Sequence, residues 1–447
     1  MRKIIKLSFL ISLFPWKFSS LAKNMYDRFS RDQLIEEQNK ILKAFEEYKT
    51  KGLNLNMMRG VQSLEQLKLS HEMLNIDLGD YKSSDGSDIR NYGGLAGTAE
   101  ARELFRELAG AESINEIIMG GNSALNLMHD SLCRSMIFGV CGSTSWTNLT
   151  GESKPKFLCP VPGYDRHFSI CEFLGIEMIN IPMTDEGPDM DEVERLVKDS
   201  SVKGIWCVPK YSNPTGITYS DAVIKRFAAL EPSAEDFRIY WDNAYIEHDL
   251  SENGDVLLNL FAELKKNGKE DMLYMFLSAS KITFPGAAVS AICASEKNVK
   301  DILGKMFAQT IGPDKINQTR HVKFLKNAAG VKAHMKKHRE ILAPKFKAVQ
   351  NGLEKNLSGI ASWSKPNGGY FVSLCVPSGC ALRTVELARE LGVILTPAGA
   401  TYPYGKDPSD ENIRIAPSYP SVAELEAAVE ALCICVKMAY LEKLIKQ

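Results

Sequence analysis

The chain has 447 residues, 45% of them hydrophobic and 24% charged, with a formal net charge of -1 at pH 7. That length exceeds one simple core and asks for two or more domains. The near-neutral charge argues against nucleic acid or an anionic membrane as the main partner.

Ten cysteines are scattered without metal-ligand spacing, so no metal is expected. Cys433 and Cys435 fall in an apolar helical run and read as core packing. Thiols at this density suit a reducing compartment, which favours the cytoplasm.

The first 24 residues pull the other way. They start basic, carry a short apolar stretch over residues 7–14, and hold no acid before Asp27. Three readings stay open: a secretory signal, an organelle transit segment, or an over-long start with Met25 as the true beginning. The last is preferred, because the folded pattern begins just after it. The apolar stretch is too short to span a bilayer.

Residues 32–49 alternate apolar and charged positions at helical spacing. An extended piece, LNLNMMRG, ends at Gly60, where glycine permits a turn or a close backbone approach. Residues 64–74 predict another helix. A glycine-rich loop, RNYGGLAG, carries Tyr92 and leads into a helix over residues 99–109. Next come a short strand over 116–119, the small residues Gly120, Gly121, Asn122 and Ser123, and a helix from Ala124 to about Cys133. A glycine-rich turn between strand and helix offers free backbone N–H groups to a phosphate.

The strand over 157–160 delivers Tyr164, whose ring could lie against a flat ligand. The strand over 204–209 delivers Asn213-Pro214-Thr215-Gly216, a turn that holds its Asn inward. The strand over 237–241 ends at Asp242, with Tyr245 three residues on. Another apolar run, residues 272–277, precedes Ser278, Ser280 and Lys281, and Pro285-Gly286 breaks the chain beyond. A lysine in such a partly desolvated cleft becomes a usable nucleophile.

Strands alternating with helices over residues 116–293 predict an α/β fold with a largely parallel sheet flanked by helices. Ligands of such sheets bind beyond the carboxyl ends of the strands. Gly121 and Asn122, Tyr164, Asn213, Asp242 with Tyr245, and Lys281 all stand at such ends. Residues 315–356 predict a basic, mainly helical stretch in which His321, His334 and His338 lie on a solvated face. From residue 360 the pattern turns α+β, with Arg414 on a short strand and a closing helix over 422–441. The expected division is an extension (1–24), an N-terminal segment contributing to a small domain and to the substrate pocket (25–80), a large ligand-binding domain (81–325) and a small C-terminal domain (326–447).

Taken together, Tyr92, Gly-Gly-Asn, Asn213-Pro214-Thr215-Gly216, Asp242 with Tyr245, Ser278-x-Ser-Lys281 and Arg414 resemble the fold-type I aminotransferases that use pyridoxal 5'-phosphate. The segments MMRG, RNYGGL, GGNSALNL, CPVPGYDRHF, KGIWCVPKYSNPTG, FRIYWDNAY and SKITFPGA look closer still to a divergent bacterial subgroup of aspartate aminotransferases. The resemblance covers essentially residue 25 to the end and implies a large domain with a mainly parallel sheet plus a smaller α+β domain. It also implies roles. Lys281 would bond the cofactor and then carry the Cα proton. Asp242 would pair with the pyridine nitrogen, Tyr245 and Asn213 with its phenolic oxygen, and Tyr164 would stack on the ring. Gly121, Asn122 and Ser278 would hold the phosphate, with Tyr92 reaching across from the second subunit of a homodimer. Arg414 would grip the substrate α-carboxylate, Asn213 would contact the substrate as well as the cofactor, and Gly60 would border the substrate pocket.

Two points depart from the pattern or stay open. Related enzymes place a phosphate-binding arginine seven or eight residues after the lysine, where this chain has Ala288 and Val289. The cation for a substrate's second carboxylate comes from the partner subunit in related aspartate enzymes. Lys315 and Arg320 are candidates by location, against the alternative of a solvated basic helix start. The expected activity is ping-pong transfer of the amino group of aspartate to 2-oxoglutarate. Alternatives are an aromatic or aminoadipate-like donor, a β-lyase, and, more distantly, a transcription regulator built on the same fold.

Overall fold

The computed structural model describes residues 25–447; the signal, transit or over-long-start readings all fall on residues outside it. In chain order come α1 (Arg31–Lys49), β1 (Leu55–Asn56), α2 (Leu64–Lys68), α3 (Ala99–Ala109), β2 (Ile117–Met119), α4 (Ala124–Phe138), β3 (Lys156–Val161), α5 (Asp165–Phe173) and β4 (Glu177–Thr184). There follow β5 (Gly187–Pro188), α6 (Met190–Leu196), β6 (Val202–Cys207), α7 (Asp221–Ala229), β7 (Arg238–Asp242), α8 (Leu260–Lys266), β8 (Leu273–Ser278), β9 (Ser290–Ala294) and α9 (Glu296–Met306). The chain closes with α10 (Lys315–Leu325), α11 (Ala328–Leu357), β10 (Ser362–Trp363), β11 (Val372–Cys375), α12 (Ala381–Glu390), β12 (Val393–Ile394), β13 (Asn412–Ile415) and α13 (Val422–Lys446).

Eight strands form the main sheet in the order β2-β9-β8-β7-β6-β3-β4-β5. Strands β8, β7, β6, β3 and β4 run parallel, whereas β9 is antiparallel to both β8 and β2. The sheet is therefore mixed at that edge. The link from β8 to β9 is too short for a crossover helix, so the chain turns straight back. Because β9 alone reverses there, β2 points the same way as the five parallel strands. The carboxyl ends of β2, β3, β6, β7 and β8 consequently open on one side of the sheet.

Alternation along the strands divides the packing between two faces. In β8, Leu273, Met275 and Leu277 enter one core, and Tyr274 and Phe276 enter the other. All six residues of β6 are buried, as expected for a strand covered on both faces. Its one charged member, Lys203, is compensated by Asp236 at 2.7 Å.

A separate core joins the two ends of the chain. Leu34, Phe45 and Tyr48 of α1 pack with Leu353 and Leu357 of α11, the strands β11 and β13, and α13. Cys433 and Cys435 lie in this core. Serine caps start both α1 and α13, each in a reciprocal capping box with Gln33 or Glu424.

Two expectations are corrected. The helix expected over residues 64–74 stops after α2, and a 3-10 turn, His71–Asn75, replaces its second half. Ser70, at the break, is tied to His334 Nε2 at 3.2 Å. The histidines expected on a solvated face are buried, with His321 at 1%, His334 at 6% and His338 at 0% exposure. That face of α10 and α11 packs inward, where backbone and side-chain partners satisfy the rings. Among the described residues no helix is long and apolar enough to cross a membrane.

Candidate active site

Strand β8 ends at Ser278, and the chain turns through Lys281 before Pro285–Ala287 forms a 3-10 turn into β9. The turn is fixed from behind. Thr283 Oγ1 bonds Ala279 O and lies 2.9 Å from His321 Nε2, while His334 Nε2 lies 2.9 Å from Ile282 O. His338 sits 3.3 Å from His334 and 3.2 Å from the Gln66 amide, which also donates to Tyr370 Oη. A buried polar chain thus braces the lysine turn against α10, α11 and the N-terminal segment. Burial lowers all three imidazoles, His338 to about 3, so these rings stay neutral and act as hydrogen-bonding struts.

Lys281 faces a cleft of about 760 Å3 that opens to solvent. Gly60, Tyr164, Asn213, Asp242, Tyr245 and Arg414 share its walls, so seven of the expected site residues meet in one place. The Lys281 Nζ lies 4.8 Å from the centre of the Tyr245 ring. Burial lowers its pKa and the Asp242 carboxylate opposes that shift, so the neutral amine is more accessible than in an ordinary lysine. Burial also pushes the Tyr245 phenol well up, and Tyr164 up to about 12.

Asp242 is 5% exposed at the end of β7. His167 Nε2 meets its Oδ2 at 3.1 Å. The imidazole is stacked on Trp206 at 4.3 Å and 8°, and Tyr164 meets it edge-on at 4.9 Å. His167 was not singled out in the sequence. Its only local signal is its place one helical turn after Tyr164 in α5.

Arg414, on β13, is buried at 4% exposure. Its Nη1 donates to Asp165 Oδ1 at 2.8 Å and Asn213 Oδ1 at 3.3 Å, and its Nη2 to Thr396 Oγ1 at 3.2 Å. Nε has no acceptor among the described residues. Asp165, Arg59, Arg166 and Phe371 line the cleft without having been anticipated. Gly60 is required by close packing: an added Cβ would stand 3.0 Å from the Phe371 ring and 3.1 Å from that of Tyr370.

Gly121, Asn122 and Ser278 gather beside the cleft rather than in its walls. Ser280 Oγ donates to Asn122 O at 3.0 Å and pairs with Ser278 Oγ at 2.5 Å. Ser290 Oγ donates to Gly121 O at 2.9 Å. Open space surrounds the position a Gly121 Cβ would take, in front of α4. Ala288 and Val289, at the positions where related enzymes carry the phosphate-binding arginine, are buried.

Tyr92 is elsewhere, 84% exposed on its loop. Lys315 Nζ pins that loop by donating to Asn91 O at 2.7 Å and Gly93 O at 2.8 Å. Lys315 is buried rather than solvated, and neither it nor Arg320 lines the cleft of its own chain.

Residues 29–447 match the family model described as aspartate amino-transferase. The chain belongs to the aspartate aminotransferase family. It is 45% identical over 406 residues to the aspartate aminotransferase of Corynebacterium glutamicum, covering 90% of this chain and 93% of that one. A crystal structure of an aspartate transaminase from Corynebacterium glutamicum superposes with a TM-score of 0.91 at 42% identity, over 94% of this chain and 99% of that one. The α-aminoadipate aminotransferase of Thermus thermophilus, solved with N-(5'-phosphopyridoxyl)-L-leucine, shares the fold with a TM-score of 0.71 at 19% identity, over 90% of this chain and 95% of that one.

Proposed function

We propose that this family member is an aspartate transaminase, taking the amino group of L-aspartate to 2-oxoglutarate to give oxaloacetate and L-glutamate at one pyridoxal 5'-phosphate site. The observation that carries the reading is the convergence of Lys281, Asp242 and Arg414 on one cleft. The residue set suits the cofactor. A buried carboxylate at Asp242 suits a protonated ring nitrogen, an amine of lowered pKa suits an aldehyde, and the open Gly121 turn before α4 suits a phosphate.

When bound, pyridoxal phosphate supplies an electron sink for the pair left behind as the substrate Cα loses its proton. This chain's side chains do the rest. Arg414 would hold the α-carboxylate with a planar fork and so fix which Cα bond faces Lys281. Lys281, as a neutral amine, would take the proton from the substrate Cα and deliver it to the cofactor carbon C4′ on the far side of the nitrogen. Asp242 would keep the ring nitrogen protonated, with His167 holding the carboxylate in place. Tyr245 and Asn213 would bond the phenolic oxygen, Tyr164 would cover the ring, and Gly121, Asn122 and Ser278 would hold the phosphate. The same groups would serve 2-oxoglutarate in reverse once oxaloacetate has left, which makes the kinetics ping-pong.

A homodimer belongs to this reading, supported by the exposed Tyr92, which would complete the neighbour's phosphate site. The division into a large domain over 81–325 and a small one over 326–447 with 25–80 is supported by the separate core that joins the chain ends. Ten unpaired cysteines support a cytoplasmic setting. A donor panel of aspartate, phenylalanine, 2-aminoadipate and cysteine, each with 2-oxoglutarate, tests the function. Aspartate should have the highest kcat/KM by about tenfold or more; a higher value for another donor contradicts the assignment.

A further inference from the structure

Besides Lys281, the cleft walls hold three arginines, Arg59, Arg166 and Arg414, and two carboxylates, Asp165 and Asp242. Both carboxylates are engaged, Asp165 with Arg414 and Asp242 with His167. Arg59 and Arg166 are exposed, and neither forms an ion pair with a carboxylate among the described residues. They come from different parts of the chain: Arg59 precedes Gly60 in the N-terminal segment, and Arg166 is in the first turn of α5. The one arginine of the walls that is buried, Arg414, is the one that has its counter-ion.

We infer that Arg166 and Arg59 of the same chain take the side-chain carboxylate of a dicarboxylic substrate. The inference rests on the transaminase reading and extends it to the choice of substrate. Two unpaired guanidinium groups over a cleft with Arg414 at its base give a site with excess positive charge, suited to a ligand with two carboxylates. A guanidinium offers a carboxylate two parallel hydrogen bonds. The long stems of exposed arginines let the same forks reach carboxylates one carbon apart, as the amino donor and the oxo-acid acceptor require. Lys315, by contrast, spends its ammonium on the carbonyls of Asn91 and Gly93.

The test uses the loaded enzyme and compares aspartate with alanine, which lacks the second carboxylate. Arg166→Leu, Arg59→Leu and the double variant are measured in single-turnover half-reactions, with Arg320→Leu alongside. In the double variant the aspartate-to-alanine ratio of rate over affinity should fall about a hundredfold. Succinate binding, followed by calorimetry, should weaken by a similar factor. A double variant that keeps the ratio within about threefold overturns the inference, as does a selective loss confined to Arg320→Leu. Wild-type enzyme separates the two levels. If it reacts with another donor and ignores aspartate, the aspartate assignment fails as well; if it reacts with aspartate and the ratio is unchanged in the variants, only the arginine assignment fails.

Discussion

At the floor of the cleft the ionisable side chains come with partners. Asp242 meets His167 at 3.1 Å, Arg414 meets Asp165 at 2.8 Å, and the turn that bears Lys281 is braced by three buried histidines. At the mouth, Arg59 and Arg166 are exposed and, among the described residues, have no carboxylate partner. A floor built this way holds charge and geometry before any ligand arrives, which is where chemistry gains most from pre-organisation. Exposed arginines with free forks are suited to recognising a ligand, at little cost in desolvation. The contrast predicts that floor substitutions remove turnover whatever the donor, whereas mouth substitutions change which donor is used.

The largest effect falls on Lys281. Lys281→Ala should lower turnover about ten-thousandfold or more while leaving the fold intact, checked by stopped-flow assays beside circular dichroism. Asp242→Asn should lower kcat about a thousandfold with every donor, because a neutral amide cannot keep a ring nitrogen protonated. Arg414→Gln should raise KM and lower kcat/KM by about a hundredfold for aspartate and alanine alike. A loss confined to aspartate would move Arg414 from the α-carboxylate to the side-chain one and break the division between floor and mouth.

His167→Phe keeps a ring over Trp206 but gives up the bond to Asp242. It should cost about tenfold in kcat, with activity partly restored in His167→Asn. The smallest effect concerns stability. His338 titrates near 6.5 when unfolded and at about 3 in the fold. The unfolded chain therefore binds the extra proton between those values, and stability falls as pH drops from about 6.5 toward about 3. Urea midpoints taken at pH 7 and pH 5 should differ, and the gap should narrow in His338→Gln.

What the sequence made legible lay at strand ends. Tyr164, Asn213, Asp242 and Lys281 follow apolar runs, and a parallel sheet brings such ends together whatever the details of packing. The order of the strands explains why Tyr164 and Asn213 meet in one cleft: β3 and β6 are neighbours, and the chain runs outward from them in opposite directions. The reversed β9 was not legible, since apolar runs look alike in either direction. His321, His334 and His338 read as solvated from the sequence because polar residues at helical spacing ordinarily face water. What buries them is a tertiary match to Thr283 and the Ile282 carbonyl, tens of residues away in the chain. His167, Arg59 and Arg166 escaped notice for a related reason. A histidine behind a carboxylate and an arginine without a partner are defined by what lies across the cleft, and local sequence does not carry that.

The most direct test of the account is the absorbance spectrum of purified protein loaded with pyridoxal phosphate, before and after L-aspartate is added alone. The account predicts a cofactor absorbance band that aspartate converts to that of the amine form of the cofactor without any oxo acid present, and that does not convert in Lys281→Ala. A wild-type band that aspartate leaves unchanged would contradict the assignment of donor, and full conversion in Lys281→Ala would contradict the role given to that lysine.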